Sequence, residues 1–372
     1  MIKRTIQDKI QSKIGRGKAI MVIGPRQVGK TTLISQFLKN KDFKFFDGDD
    51  PLVRQPLNTP NTEEIRSLLG NKKIVFIDEA QRINNIGLTM KIIVDQFKDV
   101  QLWISGSSSF SLFNELNEPL TGRKWEYELY PISWEEYEND IGYLQSEMQL
   151  KNRLRFGMYP DVLNNPGEET EVLRTLVESY LYKDVLAFSR INKPDVLQKL
   201  IRALALQVGS EVNYNELSRP VGIDKNTIEK YISVLEQGYV IFRLPSFSRN
   251  MRNEIKRGKK IYFYDNGIRN MVIKSMNEIE FRNDIGALWE NFLVSERIKQ
   301  NKYKLTLASS YFWRTVQQQE IDYVEEVNMK IKAYKFKWNP KRKVKLSKSF
   351  IEQYDAESHV ISRDNFRTFV KI

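Results

Sequence analysis

Gly24-Pro25-Arg26-Gln27-Val28-Gly29-Lys30-Thr31 satisfies the pattern G-x-x-x-x-G-K-[ST]. The apolar run Ala19-Ile20-Met21-Val22-Ile23 precedes it, and the stretch from Thr31 to Lys39 is compatible with a helix. Buried strand, glycine turn and helix start therefore come in the order that phosphate binding requires. Glycines let backbone N–H groups converge on a phosphate chain, and the helix N-terminus adds partial positive charge. This predicts a nucleotide-binding loop formed by Gly24, Pro25, Arg26, Gln27, Val28, Gly29, Lys30, Thr31 and Thr32. Lys30 is expected to reach the β- and γ-phosphates of ATP, and the Thr31 hydroxyl to ligate Mg²⁺.

A nucleotide site of this kind needs a second buried strand ending in an acid. Ile74-Val75-Phe76-Ile77-Asp78-Glu79-Ala80 fits, because an unbroken apolar run marks a strand covered on both faces of a parallel sheet. Asp78 is expected to hold Mg²⁺ through water, and Glu79 to polarise the attacking water. Phe43 to Phe46, ending at Asp47-Gly48-Asp49-Asp50, and Leu102 to Ile104, ending at Ser105-Gly106-Ser107-Ser108, read as further strands. Helical patterns at 63–69 and 86–97 lie between them, so the fold class is α/β with a doubly wound parallel sheet. Ser105 and Ser107 would then face the γ-phosphate, one of them as a sensor; a serine-rich turn and cap is the plainer reading of each. Arg123 lies in a glycine turn before the strand-like stretch 125–129. It is either an arginine that stabilises the transferring phosphoryl group or an ordinary turn residue.

The set GPRQVGKTTL, FFDGDD, IVFIDEAQ, WISGSSS, LTGRKWEYELYPISWEEY and IYFYDNGIRN resembles a large family of uncharacterised prokaryotic AAA-type ATPases. These are similar to archaeal ATPases that join a P-loop core to a winged helix and a restriction-endonuclease-like module. The resemblance spans essentially the whole chain. It implies ATP binding and hydrolysis, with 24–32 as phosphate loop, Asp78 and Glu79 as the acidic pair, the Ser-Gly-Ser turn as sensor and Arg123 as the arginine of the matching Gly-Arg turn. It supplies no substrate beyond ATP.

The chain has 372 residues, enough for two or three domains, and 41% hydrophobic content, enough for real cores. It has no cysteine, which excludes disulfides, thiolate metal sites and cysteine nucleophiles, and its one histidine is His359. Catalysis is left to carboxylates, Lys, Arg and Mg²⁺. No apolar run approaches the roughly 20 residues of a membrane span, and the start lacks a signal-peptide pattern, so the expectation is a cytoplasmic protein with no membrane partner. Ile2, Ile6, Ile10 and Ile14 form an apolar stripe, read as packing on the ATPase core. The net charge of +12 favours a polyanionic partner. Two basic clusters carry much of it: Arg243, Arg249, Arg252, Lys256, Arg257, Lys259 and Lys260; and Lys330, Lys332, Lys335, Lys337, Lys341, Arg342, Lys343, Lys345 and Lys348. Each reads as a phosphate-contacting surface, with solvated lysine the alternative.

Downstream, 138–190 reads as a helical lid and connector with a glycine break at 156–160. A periodic helix at 195–208, a short helix from Tyr214, a turn at 222–224, a helix at 225–236 capped by Asp224, and strands near 239–244 and 260–265 follow winged-helix order. Asn226, Thr227 and Lys230 would then face DNA, with 249–260 as the wing. The C-terminal stretch looks like a restriction-endonuclease-like module with Glu290 and Asp322 in place. Where Glu-x-Lys is expected, however, the chain reads Lys335-Phe336-Lys337. An ammonium about 4 Å from a divalent ion is repelled by several kcal/mol even at an effective dielectric of about 20, so nuclease activity is not expected. Trp313 and Trp338 read as core.

The expected organisation is a P-loop core at 1–137, a lid and connector at 138–190, a winged helix at 191–275 and a nuclease-like α/β module at 276–372. The expected function is a Mg²⁺-dependent ATPase whose nucleotide state controls a DNA-binding winged helix and a degenerate nuclease-like module. Two alternatives stay open: a nucleotide-gated protein-interaction switch without nucleic acid, and an ATP-dependent nuclease. Oligomeric state, including a homo-oligomer, is left open.

Overall fold

The computed structural model describes residues 1–58, 60–107, 120–179, 194–249, 258–341 and 346–371. The chain forms two compact units, one of 1–130 with 237–239, the other of 131–236 with 240–372.

The first unit is built on five strands: β1 (Ala19–Ile23), β2 (Lys44–Asp47), β3 (Ile74–Asp78), β4 (Gln101–Gly106) and β5 (Lys124–Glu128). They pair in the order β2-β3-β4-β1-β5, every neighbour parallel. β1 is buried along its whole length and β3 nearly so. That is why both read as unbroken apolar runs. Helices Lys30–Leu38, Thr62–Leu69 and Ile86–Gln96 provide crossovers. Side chains of β1, β3, β4 and the helices Thr62–Leu69 and Ile86–Gln96 merge into one core containing Met21, Ile77, Ile104, Ile65 and Met90. A parallel sheet brings all strand carboxyl ends to one edge, so Ile23, Asp78 and Gly106 end together, and the phosphate loop leaves from that edge. At the start of the chain, Ile6 and Ile10 are buried and only Gln7–Gln11 is helical.

The second unit opens with helix Trp134–Ile141, whose Ser133 and Glu136 form a reciprocal capping box. Helices Tyr143–Phe156, Pro160–Asn164 and Glu169–Leu176 follow. The glycine break after Phe156 has a packing reason. A Cβ on Gly157 would lie 2.1 Å from Oδ1 of Asp265, and one on Gly267 would lie 2.1 Å from the Phe156 carbonyl. Asp265 accepts from the Met158 amide at 2.7 Å and from the Ile268 amide at 3.1 Å. The two sequence signatures Phe156-Gly157-Met158 and Asp265-Asn266-Gly267 thus fit one another as a structural joint.

Next come helices Pro194–Leu206, Tyr214–Val221 and Lys225–Gln237, and a small antiparallel sheet ordered β6 (Glu211–Val212), β8 (Lys259–Phe263), β7 (Ile241–Pro245). Asp224 caps the helix Lys225–Gln237 by accepting from the Asn226 and Thr227 amides. A mixed sheet then forms from β9 (Ser309–Arg314), β10 (Glu320–Val327), β11 (Lys330–Phe336) and β12 (Glu357–Ile361), in the order β12-β11-β10-β9. The long helix Ile285–Lys304 packs beside β8 and β11. The chain beyond β7 joins this sheet through Phe247, whose amide donates to the Phe312 carbonyl at 2.6 Å. Trp313 is buried here, and Trp338 packs edge-on against the buried Trp289 with ring centroids 5.3 Å apart. Most of the expected wing, with Arg252, Lys256 and Arg257, lies outside the described residues, as do Arg342, Lys343 and Lys345. Among the described residues, no helix is long and apolar enough to cross a membrane.

Candidate functional site

The phosphate loop closes tightly around its own backbone. Gly24 has φ 150°, and a Cβ there would meet the Leu129 carbonyl oxygen at 2.0 Å, so only glycine lets the loop pass the end of β5. Gly29 has φ 91° and begins the helix Lys30–Leu38. Arg4, from the N-terminal segment, donates to the Val28 carbonyl at 2.8 Å and the Tyr130 carbonyl at 2.6 Å. It pins the loop from behind, and no local sequence signal marks it.

Lys30 is buried, and its Nζ donates to the carbonyls of Gly24 at 3.1 Å and Pro25 at 2.8 Å. The ammonium thus folds back across its own loop. Burial pushes it down from the ordinary 10.5 to about 8, against the raising effect of Glu79 and Asp78. The Thr31 hydroxyl donates to both oxygens of Asp78, at 3.1 and 2.9 Å. A hydroxyl and a carboxylate in contact at a helix start form an oxygen-donor pair suited to Mg²⁺. Burial pushes the Asp78 carboxyl up, opposed by hydrogen bonds from Ser105 and Thr31.

Ser105 is fully buried and donates to Asp78, while its Oγ accepts from the Glu79 amide at 3.2 Å. Its hydroxyl thus meets the acidic pair. Glu79 itself has φ 45°, a left-handed conformation that is uncommon for a non-glycine residue. Gly48 makes room for that turn: a Cβ there would lie 2.5 Å from the Glu79 carbonyl oxygen and 2.7 Å from that of Asp78. The acid-rich end of β2 is otherwise structural, with Asp50 capping the helix Pro51–Leu57 and Asp47 accepting from the Asp49 amide.

Arg123 corrects the sequence-based expectation. β5 runs parallel to β1, with Lys124 opposite Ala19, and the Ala19 amide donates to the Arg123 carbonyl. Arg123 therefore stands at the amino-end edge of the sheet, while the phosphate loop leaves the carboxyl end. The length of β1, about 16 Å at roughly 3.3 Å per residue, separates the two edges. Its guanidinium pairs with Asp95 at 2.7 Å. Within the chain it stands at the opposite sheet edge from Lys30.

The second unit brings the two anticipated carboxylates, Glu290 and Asp322, together with a third. Glu290 of the helix Ile285–Lys304 and Glu320 and Asp322 of β10 face two lysines. Lys260 lies 3.0 Å from Glu290 and 2.7 Å from Glu320. Lys335 lies 2.5 Å from Asp322 and 3.8 Å from Glu320. The Phe336 amide and the Tyr262 hydroxyl add bonds to Asp322 and Glu290, each at 2.7 Å. Lys260 is 1% exposed. Burial pulls its ammonium down, yet the three carboxylates hold it well above the ordinary lysine range. Each basic cluster of the sequence thus turns one lysine into this interior network. Lys260, counted from sequence as part of a wing, was not foreseen there.

An AAA-domain family model matches residues 16–138, and two models described only as domains of unknown function match 147–278 and 285–369. An uncharacterised protein of Mycobacterium tuberculosis is 27% identical over 328 residues, covering 87% of this chain and 71% of that protein. An uncharacterised protein of Methanocaldococcus jannaschii is 23% identical over 318 residues, covering 79% and 69%. A solved structure, the Walker-type ATPase of Pyrococcus abyssi, superposes with TM-score 0.50 at 16% identity, covering 73% of this chain and 96% of that one. At that identity the likeness concerns the fold. The chain thus carries an AAA domain at 16–138 and, behind it, two stretches that match domains of unknown function.

Proposed function

We propose that this chain is a Mg²⁺-dependent ATPase whose nucleotide state controls a DNA-contacting winged helix and a nuclease-like module that does not cut. The observation that carries the ATPase reading is the cluster at one sheet edge: Lys30 across the phosphate loop, and Thr31 and Ser105 both bonded to Asp78. Thr31 and Asp78 would hold Mg²⁺, which supplies charge neutralisation on the phosphates when bound. Lys30 orients the β/γ-phosphates, and Glu79 takes the water proton. The test is ATP turnover by wild type and Glu79→Gln, with and without DNA. The variant should bind ATP and lose about 10²–10⁴-fold in turnover, since only general-base assistance is removed. Equal turnover would remove Glu79 from this role.

DNA contact is supported by helix order and by surface charge. Asn226 and Lys230 are exposed on the helix Lys225–Gln237, whereas the Thr227 hydroxyl is bonded to Asp224 at 2.6 Å. Lys330 and Lys341 are exposed at the two ends of the β11 segment. If these surfaces meet phosphates, log affinity should fall linearly with log salt. Replacing Lys341, Arg342, Lys343 and Lys345 with Ala should flatten that slope by up to about four phosphate equivalents, read by fluorescence anisotropy across a salt series. An unchanged slope would leave the cluster as solvated surface and favour a protein-docking role.

A further inference from the structure

Gln81 follows the acidic pair in the turn Ala80–Arg82, and it is buried. Its carboxamide works in two directions. Nε2 donates to the Glu79 carboxylate, and Oε1 accepts from the Ser107 amide at 3.2 Å. The Glu79 backbone is held separately, its amide donating to Asp78 Oδ1 and Ser105 Oγ, both at 3.2 Å. Backbone and side chain of Glu79 therefore have different anchors. Ser105 and Asp78 fix the first, and Gln81 fixes the second. Because Gln81 is itself held by Ser107, just beyond β4, the side-chain anchor runs back to the end of that strand.

The residue type suits this place. A carboxamide offers a donor to the carboxylate and an acceptor to an amide N–H in one rigid plane. It is neutral, so it orients Glu79 through a hydrogen bond and adds no charge beside it. A leucine here would leave the buried Ser107 amide without this acceptor.

We propose that Gln81 is the positioning residue for Glu79, and that it couples the Glu79 carboxylate to Ser107, just beyond the end of β4. The geometry links the Ser107 amide to the acid through one carboxamide: displacement of Ser107 draws the carboxamide and changes where Glu79 points. The coupling rests on the reading of Glu79 as the water-polarising group.

The test measures ATP binding and single-turnover hydrolysis for wild type, Glu79→Gln, Gln81→Leu, Gln81→Asn and Gln81→Glu, with a thermal melt of each. Gln81→Leu should keep its ATP dissociation constant within about twofold and lose about 10²-fold in hydrolysis rate, the scale of a misplaced catalytic group. Gln81→Asn, with a shorter reach, should lie between it and wild type. Gln81→Glu keeps the reach but replaces the amide donor with a second acceptor, so it should keep ATP binding and lose hydrolysis, a split that simple loss of packing does not produce. Turnover that Glu79→Gln abolishes but Gln81→Leu leaves intact would overturn the role of Gln81 alone. Loss of ATP binding together with a lowered melting temperature in all three Gln81 variants would assign Gln81 to packing and overturn it too. Wild-type protein without ATP turnover would overturn both this inference and the ATPase reading.

Discussion

Lys30→Ala is expected to weaken ATP binding by about three orders of magnitude and to abolish turnover at ordinary ATP concentrations. The variant removes a unit charge facing the phosphates. At about 4 Å and an effective dielectric of about 20, one such pair contributes about 4 kcal/mol, which is about 10³-fold in affinity. The fold should survive, because among the described residues Lys30 donates to carbonyls of its own loop, Gly24 and Pro25, while Asp78 keeps Thr31 and Ser105 and Glu79 keeps Gln81. Titration calorimetry with MgATP checks it. Unaltered affinity would mean that the phosphates are held by loop amides alone.

The same lysine makes binding depend on pH in a stated direction. Burial lowers its ammonium to about 8, below the ordinary 10.5. Bound phosphate favours the protonated form and raises that value. Above about 8, binding must therefore take up a proton, and affinity falls as pH rises toward the bound-state value. Calorimetry in buffers of differing ionisation enthalpy reads this uptake directly. For stability the sign is opposite: the folded loop binds this proton less tightly than the unfolded chain, so its contribution rises with pH between about 8 and 10.5.

The phosphate loop and its sheet were legible because both rest on local rules. Strands covered on two faces must be apolar throughout, and a backbone that wraps an anion must carry glycine where φ is positive. Gly24 and Gly29 meet that demand, and the element order around Asp224 was equally readable from its cap. What stayed hidden depends on partners distant in sequence. Arg123 sits in a motif-like turn, but only the parallel pairing of β5 with β1 tells which edge that turn occupies. Arg4 reaches the loop from the start of the chain, and nothing in its neighbours marks it. Gln81 carried one faint signal, a polar residue directly after a buried strand and its acids. Ser105 was placed at the right strand end, but its direction toward Asp78 belongs to side-chain geometry that no pattern encodes.

Lys260→Met is expected to destabilise the second unit by about 3–5 kcal/mol, the usual cost of removing one partner from a buried ion pair. Lys260 touches both Glu290 and Glu320, and its loss leaves Glu290, half-buried beside Tyr262, without a cation among the described residues. Lys335 cannot substitute, since it lies against Asp322. Urea unfolding measures the effect, and Lys260→Met combined with Glu290→Leu should recover much of it, because an apolar pair of similar volume replaces the ionic one. An unperturbed single variant would show that water already screens the cluster. The network also argues against metal chemistry here. A divalent ion would have to displace two ammonium groups that already balance two of the three carboxylate charges. Purified protein should accordingly leave supercoiled plasmid intact with Mg²⁺ or Mn²⁺, with or without ATP. Cleavage that disappears in Asp322→Ala would mean that the lysines yield to metal. The two carboxylates anticipated from sequence would then be ligands after all, with Glu320 completing the set.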